Sequence, residues 1–269
     1  MMFDKEYSSI KLERDGHVLH LTLNRPKVKN AMSQAMVNEM REVFTALEGD
    51  LSIRAIILRG AGGSFCAGGD IKDMAAARAA AAKSESDPYY DLNKNFGEVI
   101  LQMNQIPQVV IAVLEGAVMG GGFGLACVTD VAIATESAMF ALPETTLGIP
   151  PAQIAPFVVK RIGLTQARRL ALLGSRFDGE ESVRLGISHF FAKDEDAVQA
   201  ILDDTLKQVK KCAPNANAIT KKLMLKAAEN EAESLIEEAA KAFSASVQCG
   251  EGLAGTMAFV QKKPAPWAE

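Results

Sequence analysis

The chain has 269 residues, of which 48% are apolar and 23% charged, with 29 basic against 33 acidic side chains and a net charge of −4. Such a chain buries a sizeable core in one or two domains, and its mixed charge offers no electrostatic footprint for nucleic acid or an anionic membrane surface. The start, MMFDKEYSSIKLERDG, puts acids where a signal peptide needs bases, and no stretch approaches the ~18 apolar residues of a membrane span, so a cytoplasmic location is expected.

YSSIKLERD and HVLHLTLN alternate like strands joined by a turn at Asp15-Gly16. From Ser33, an N-cap candidate, SQAMVNEMREVFTALEGD has helical spacing and a stop at Gly49. RAIILRG then predicts a short buried strand, YYDLNKNFGEVILQMNQI a helix, QVVIAVLEG a strand, GFGLACVTD a helix, and DVAIATE and AMFALPE two strands. The alternation predicts an α/β fold. Beyond Ala152 strands nearly vanish and helical composition takes over, so a core over residues 1–195 and a helical region over 196–269 are expected. The alanine-rich, then polar segment 75–88 suits a mobile insertion near a cleft.

Two glycine-rich turns follow two of these strands. Phe65-Cys66-Ala67-Gly68-Gly69-Asp70 follows RAIILRG, and Gly120, Gly121, Gly122 and Gly124 open an apolar, helix-compatible run. Glycine lets backbone approach a ligand closely, and the first N–H groups of a helix lack intrahelical partners. If the two strands are neighbours, one N–H from each turn can aim at a single developing oxyanion; otherwise both are plain helix-opening turns. Cys66, Cys127, Cys212 and Cys249 lack CxxC spacing, and no histidine is placed in sequence to activate Cys66. His17, His20 and His189 suggest no metal site, and at least two are expected on strands. Gln153, within PPAQIAP, reads either as an orienter of water or a substrate carboxylate, or as an ordinary polar residue opening a helix.

FCAGGDI at 65–71, VMGGGFGLACVTDVAIA at 118–134, FALPETTLGI at 140–149, LNRPKVKNAM at 23–32 and LTQARRLALLGSRFDGEESVRLGI at 164–187 together resemble the enoyl-CoA hydratase/isomerase, or crotonase, superfamily. The resemblance implies a spiral of ββα repeats with C-terminal helices that serve trimerisation, as a homotrimer or dimer of trimers. It implies an acyl-coenzyme A substrate, with no metal or redox cofactor. It matches the amides of Gly69 and Gly121 to the donors that hold the thioester oxygen, and Lys29, Ala67, Asp70, Ile71 and Lys72 to coenzyme A contacts. Phe259 and Lys262 match nucleotide contacts across a subunit boundary, although a solvated basic tail reads as well. Many hydratases of the family carry two glutamates; the second is matched by Glu144, and the first position holds Gly124.

One carboxyl can take the proton from water and return one to the α-carbon, which is hydration, or shuttle a proton between γ- and α-carbons, which is isomerisation. A binding protein without chemistry is the third possibility. The stretch LPETTLGIPPAQIAPFVVKRIG resembles hydratases of branched glutaconyl-CoA thioesters, of the methylglutaconyl- and isohexenylglutaconyl-CoA types in leucine and acyclic terpene breakdown. Gly124 is then expected to free volume beside the α- and β-carbons.

Overall fold

The hairpin forms where Asp15-Gly16 puts it. Strands β1 (Ile10–Asp15) and β2 (Val18–Leu23) pair antiparallel, Ile10 opposite Leu23, across a turn in which Gly16 takes a φ of 55°. The structure is a computed structural model and describes residues 5–81, 87–248 and 250–268.

Helix α1 (Gln34–Leu47) is capped by Ser33, whose hydroxyl accepts from the Met36 amide at 3.2 Å, and it buries Met36, Met40, Val43, Phe44 and Leu47 along one face. Ser33→Ala is expected to cost about 1 kcal/mol, read as a lower denaturation midpoint at unchanged slope. The chain continues through β3 (Ala55–Gly60), α2 (Ile71–Ala81), α3 (Pro88–Gln105), β4 (Val109–Leu114), β5 (Ala117–Met119) and α4 (Gly121–Cys127). Then come β6 (Val131–Thr135), β7 (Met139–Ala141), α5 (Ala155–Leu173), β8 (Arg176–Asp178), α6 (Gly179–Arg184), β9 (Phe190–Ala192) and α7 (Glu195–Lys211). The last helices are α8 (Pro214–Ala227), α9 (Ala232–Gln248) and α10 (Gly250–Val260).

Six strands form one sheet in the order β1-β2-β3-β4-β6-β9, parallel from β2 onward. Ile56 and Leu58 of β3 join the core under α1 and α3, while Ala55 and Ile57 join a second core with Val198, Leu202 and Val209 of α7. Both faces are covered, which is why RAIILRG reads as an unbroken apolar run rather than an alternation. Strands β5, β7 and β8 form a second sheet, and bridges between Met32 and Gly69 and between Cys66 and Val118 continue its layer.

The expected spiral is present. In each of three successive units a strand of the first sheet is followed by a short extended segment in the second layer and then by a helical turn: β3, 66–69, α2; β4, β5, α4; β6, β7 and a 3-10 turn over Glu144–Leu147. Helices α8, α9 and α10 contain no fully buried residue among the described ones, and they expose Met224, Ile236, Phe243 and Met257.

Two expectations are corrected. Part of the alanine-rich stretch is regular helix, because alanine has the highest helix propensity and Asp70 accepts from the Lys72 amide at 2.7 Å at its start; residues 82–86 lie outside the described residues. Of the histidines, His20 lies in a strand, whereas His17 sits in the hairpin turn and His189 just ahead of β9, where each ring makes a backbone hydrogen bond instead.

Candidate active site

The exits of the three units stack because their second-layer segments pair. Cys66 bridges Val118, and Met119 stands opposite Ala141 in the parallel β5–β7 pair. The first exit turns at Gly68, with a φ of 97°; the second turns at Gly120, with a φ of 51°; the third passes Pro143 into Glu144. Only glycine takes such φ values without strain. The contact is as close as absent side chains permit. A methyl placed on Gly68 would lie 3.3 Å from the Met119 carbonyl and 3.8 Å from the Gly121 nitrogen. One placed on Gly120 would lie 2.9 Å from Oε1 of Glu144 and 3.6 Å from the Gly68 Cα.

Among the described residues, the amides of Gly69 and Gly121 have no acceptor. A methyl on Gly69 would meet nothing within 4 Å, so this turn borders open space. An N–H group without an acceptor is free to take an anionic oxygen when one is supplied.

Two acids here are tuned in opposite directions. Glu144 is half-buried, its Oε2 is buried without a hydrogen-bond partner, and burial raises its pKa above the ordinary glutamate value. Asp70 is also penalised by burial, but the hydrogen bond and charge of Arg25 and the amides of Lys72 and Asp73 outweigh it and hold the carboxyl below its usual value. Burial thus biases Glu144 toward holding a proton, whereas Asp70 is biased toward remaining ionised.

The other candidates distribute unevenly. Lys29 is exposed, and its carbonyl accepts from the Ala67 amide at 2.9 Å; Ile71, 80% exposed, and Lys72 follow on the outer first turn of α2. These four form a rim next to Gly69. The Asp70 side chain does not belong to it, being 5% exposed and committed to Arg25 at 2.6 Å. Gln153 is anchored on α3: its Nε2 donates to Asn93 Oδ1 at 2.8 Å, and its Oε1 would lie 2.2 Å from a methyl on Gly97. Phe259, 85% exposed, and Lys262 close α10, which packs on α8 and α9; nothing among the described residues joins them to the glycine turns of the same chain.

The expected free volume at Gly124 is absent. A methyl there would fall 2.2 Å from Cγ2 of Ile154 and 3.0 Å from Cδ1 of Ile100, so the space is filled by two buried side chains. Sequence reasoning missed both, together with Met32 and Phe96, which close on Gly121: a methyl there would lie 2.4 Å from Met32 Cε and 3.1 Å from Phe96 Cζ. The available signal was the pairing of a glycine at 124 with a branched residue in PPAQIAP. Cys66 is wholly buried, which pushes its thiol up to about 12 and removes it as a nucleophile. No cluster of metal-ligating side chains occurs among the described residues.

The family model described as Enoyl-CoA hydratase/isomerase matches residues 13–269. 3-hydroxyisobutyryl-CoA hydrolase 1 of Arabidopsis thaliana is 34% identical over 188 residues, which are 68% of this chain and 48% of that protein. Enoyl-CoA hydratase ACTT6 of Alternaria alternata is 30% identical over 215 residues, 80% of this chain and 68% of that one. The chain thus spans about half the length of the Arabidopsis relative. Among solved structures, Pseudomonas aeruginosa AtuE matches with a TM-score of 0.94 at 55% identity, covering 97% of this chain and 100% of that one. An enoyl-CoA hydratase/isomerase from Marinobacter aquaeolei matches with a TM-score of 0.93 at 53% identity, covering 97% and 99%. With that family match running along the spiral and through all three stacked turns, the chain belongs to the enoyl-CoA hydratase/isomerase, or crotonase, family.

Proposed function

We propose that the protein is an enoyl-CoA hydratase that adds water across the α,β double bond of a branched glutaconyl-CoA thioester, with an isohexenylglutaconyl-like acyl group as the first candidate. The observation that carries the proposal is the half-buried Glu144 carboxylate, its Oε2 unpartnered, lodged against Gly120, whose chain neighbour Gly121 has an amide that, like that of Gly69, has no acceptor among the described residues.

The thioester oxygen accepts from the Gly69 and Gly121 amides, which stabilise it as negative charge develops; a donor of this kind is worth roughly 10²- to 10³-fold in rate. Glu144 takes a proton from water, the hydroxide oxygen bonds to the β-carbon, and the π electrons move onto the thioester oxygen as an enolate. The enolate then collapses as Glu144 returns its proton to the α-carbon, so one carboxyl closes the cycle. Coenzyme A enters only as part of the substrate, along the rim of Lys29, Ala67, Ile71 and Lys72. Phe96, half-buried where it closes on Gly121, offers an apolar contact that suits an apolar branch. Gln153 fits a substrate carboxylate by its carboxamide. The exposed apolar side chains of α8–α10 support assembly as a trimer or dimer of trimers, with Phe259 and Lys262 reaching a neighbour's nucleotide.

A second reading, thioester hydrolysis, is favoured by relatives named 3-hydroxyisobutyryl-CoA hydrolase. In that case the Glu144-activated water attacks the carbonyl carbon and the same amides hold the tetrahedral oxyanion. Incubation with a branched glutaconyl-CoA and with crotonyl-CoA separates the possibilities. Loss of conjugated absorbance without thiol release, faster for the branched substrate, is expected. Thiol release marks a hydrolase, conjugation appearing from a β,γ-isomer marks an isomerase, and binding with no change in either marks a protein without chemistry.

A further inference from the structure

We propose that Arg25, Asp70 and Met32 act as one positioning device that sets the Gly69 amide at a fixed distance and angle from the Gly121 amide. The inference rests on the reading that these two amides hold the thioester oxygen. None of the three side chains touches substrate in it.

The segment 29–34 is laced to 67–73 by backbone. The Ala67 amide donates to the Lys29 carbonyl at 2.9 Å, Met32 to Gly68 at 2.8 Å and Asp70 to Met32 at 2.9 Å. The Gln34 amide donates to the Asp73 carboxylate at 2.6 Å. The Gly69 amide is therefore held between anchored neighbours. What anchors the segment 29–34 itself is less ordinary. Lys29 and Asn30 both take left-handed φ values, 50° and 55°, which non-glycine residues adopt at a cost. Buried Asn30 accepts from the Arg25 amide at 2.8 Å and donates to the Ala61 and Ser64 carbonyls at 2.9 and 2.6 Å. Arg25 then closes the loop, donating to the Ala31 carbonyl and pairing with the buried Asp70 carboxylate at 2.6 Å.

That pair ties the loop to the first glycine turn. Met32 ties it to the second, since its methyl group fills the space where a Gly121 side chain would be. One residue thus bonds by main chain to Gly68 and Asp70 and packs by side chain on Gly121. Removing a buried ion-pair partner leaves an uncompensated charge and lets the loop relax, and a displacement near 1 Å at reacting groups costs on the order of 10² in rate.

The test compares Asp70→Asn, Arg25→Met, their double variant, Met32→Ala and the volume-conserving Met32→Leu, all assayed well below their melting temperatures. Two readouts are used: kcat against KM with an enoyl-CoA, and the affinity ratio of acetoacetyl-CoA, whose enolate occupies the same oxygen site, to free coenzyme A. Expected is a 10- to 100-fold fall in kcat and in the acetoacetyl-CoA preference with free coenzyme A affinity unchanged. The double variant should lose no more than either single one, and Met32→Leu should retain most of the rate. Unchanged kcat and preference, additive losses in the double variant, or loss of free coenzyme A affinity each overturn the inference. If the wild-type protein itself shows no preference for acetoacetyl-CoA over coenzyme A, the anion site is at fault and the inference falls with it.

Discussion

Replacing Glu144 by glutamine is expected to lower turnover roughly 10²- to 10⁴-fold, the range for removal of a positioned proton-transfer group. Affinity for coenzyme A should remain, because the carboxylate sits against Gly120, whereas coenzyme A is assigned to the rim of Lys29, Ala67, Ile71 and Lys72. The pH profile gives an independent check. Burial raises the Glu144 pKa, and a base must be ionised to act, so kcat/KM should rise with pH through an apparent pKa above the usual carboxylate range. Residual activity in the glutamine variant should lack that limb. Linkage gives the stability sign: a raised native pKa means the ionised group is unfavourable in the folded state, a penalty absent below the unfolded pKa and full above the native one. A glutamine variant with full rate and the same acidic limb would remove Glu144 from the chemistry.

Gly124→Ala is expected to destabilise the protein although alanine is the better helix former. Propensity alone predicts a gain of about 1 kcal/mol in a helix interior. The geometry predicts a larger loss: the new methyl would stand 2.2 Å from Ile154 Cγ2 and 3.0 Å from Ile100 Cδ1, and Ile154 is 2% exposed with little room to yield. Overpacking of that kind costs roughly 1–3 kcal/mol, so the sign of the change decides which effect rules. In an Ile154→Ala background the same substitution should cost markedly less, which a double-mutant cycle in denaturant would read as coupling. Glutamate at 124 should be worse still, since a carboxylate would enter the same apolar contact. A stabilised Gly124→Ala protein, or additive effects of the two substitutions, would mean that Ile154 does not occupy this space in solution.

The space beside Gly124, which the sequence suggests is open, is occupied. A missing side chain reads as vacant volume only when the neighbours are unknown; here a branched residue thirty positions later fills it. The same limit applies to Asp70. Its position next to two glycines suggests a ligand contact, but its carboxylate turns inward to Arg25, a partner 45 residues earlier that no local pattern connects to it.

Local chemistry determined a good deal by itself. Asp15-Gly16 set the hairpin, Ser33 the start of α1, and the apolar runs RAIILRG and QVVIAVLEG two buried strands, because each depends on residues within a few positions of one another. The glycine turns and Glu144 were likewise legible as residue types in order. Tertiary structure alone decided that Gly68, Gly120 and Glu144 meet, since their contact follows from the pairing of second-layer segments in successive units, and that Ile154 and Met32 close the walls around them. Sequence spacing carries the period of an element, whereas the register between distant elements is fixed only when the cores on both faces of the sheet pack.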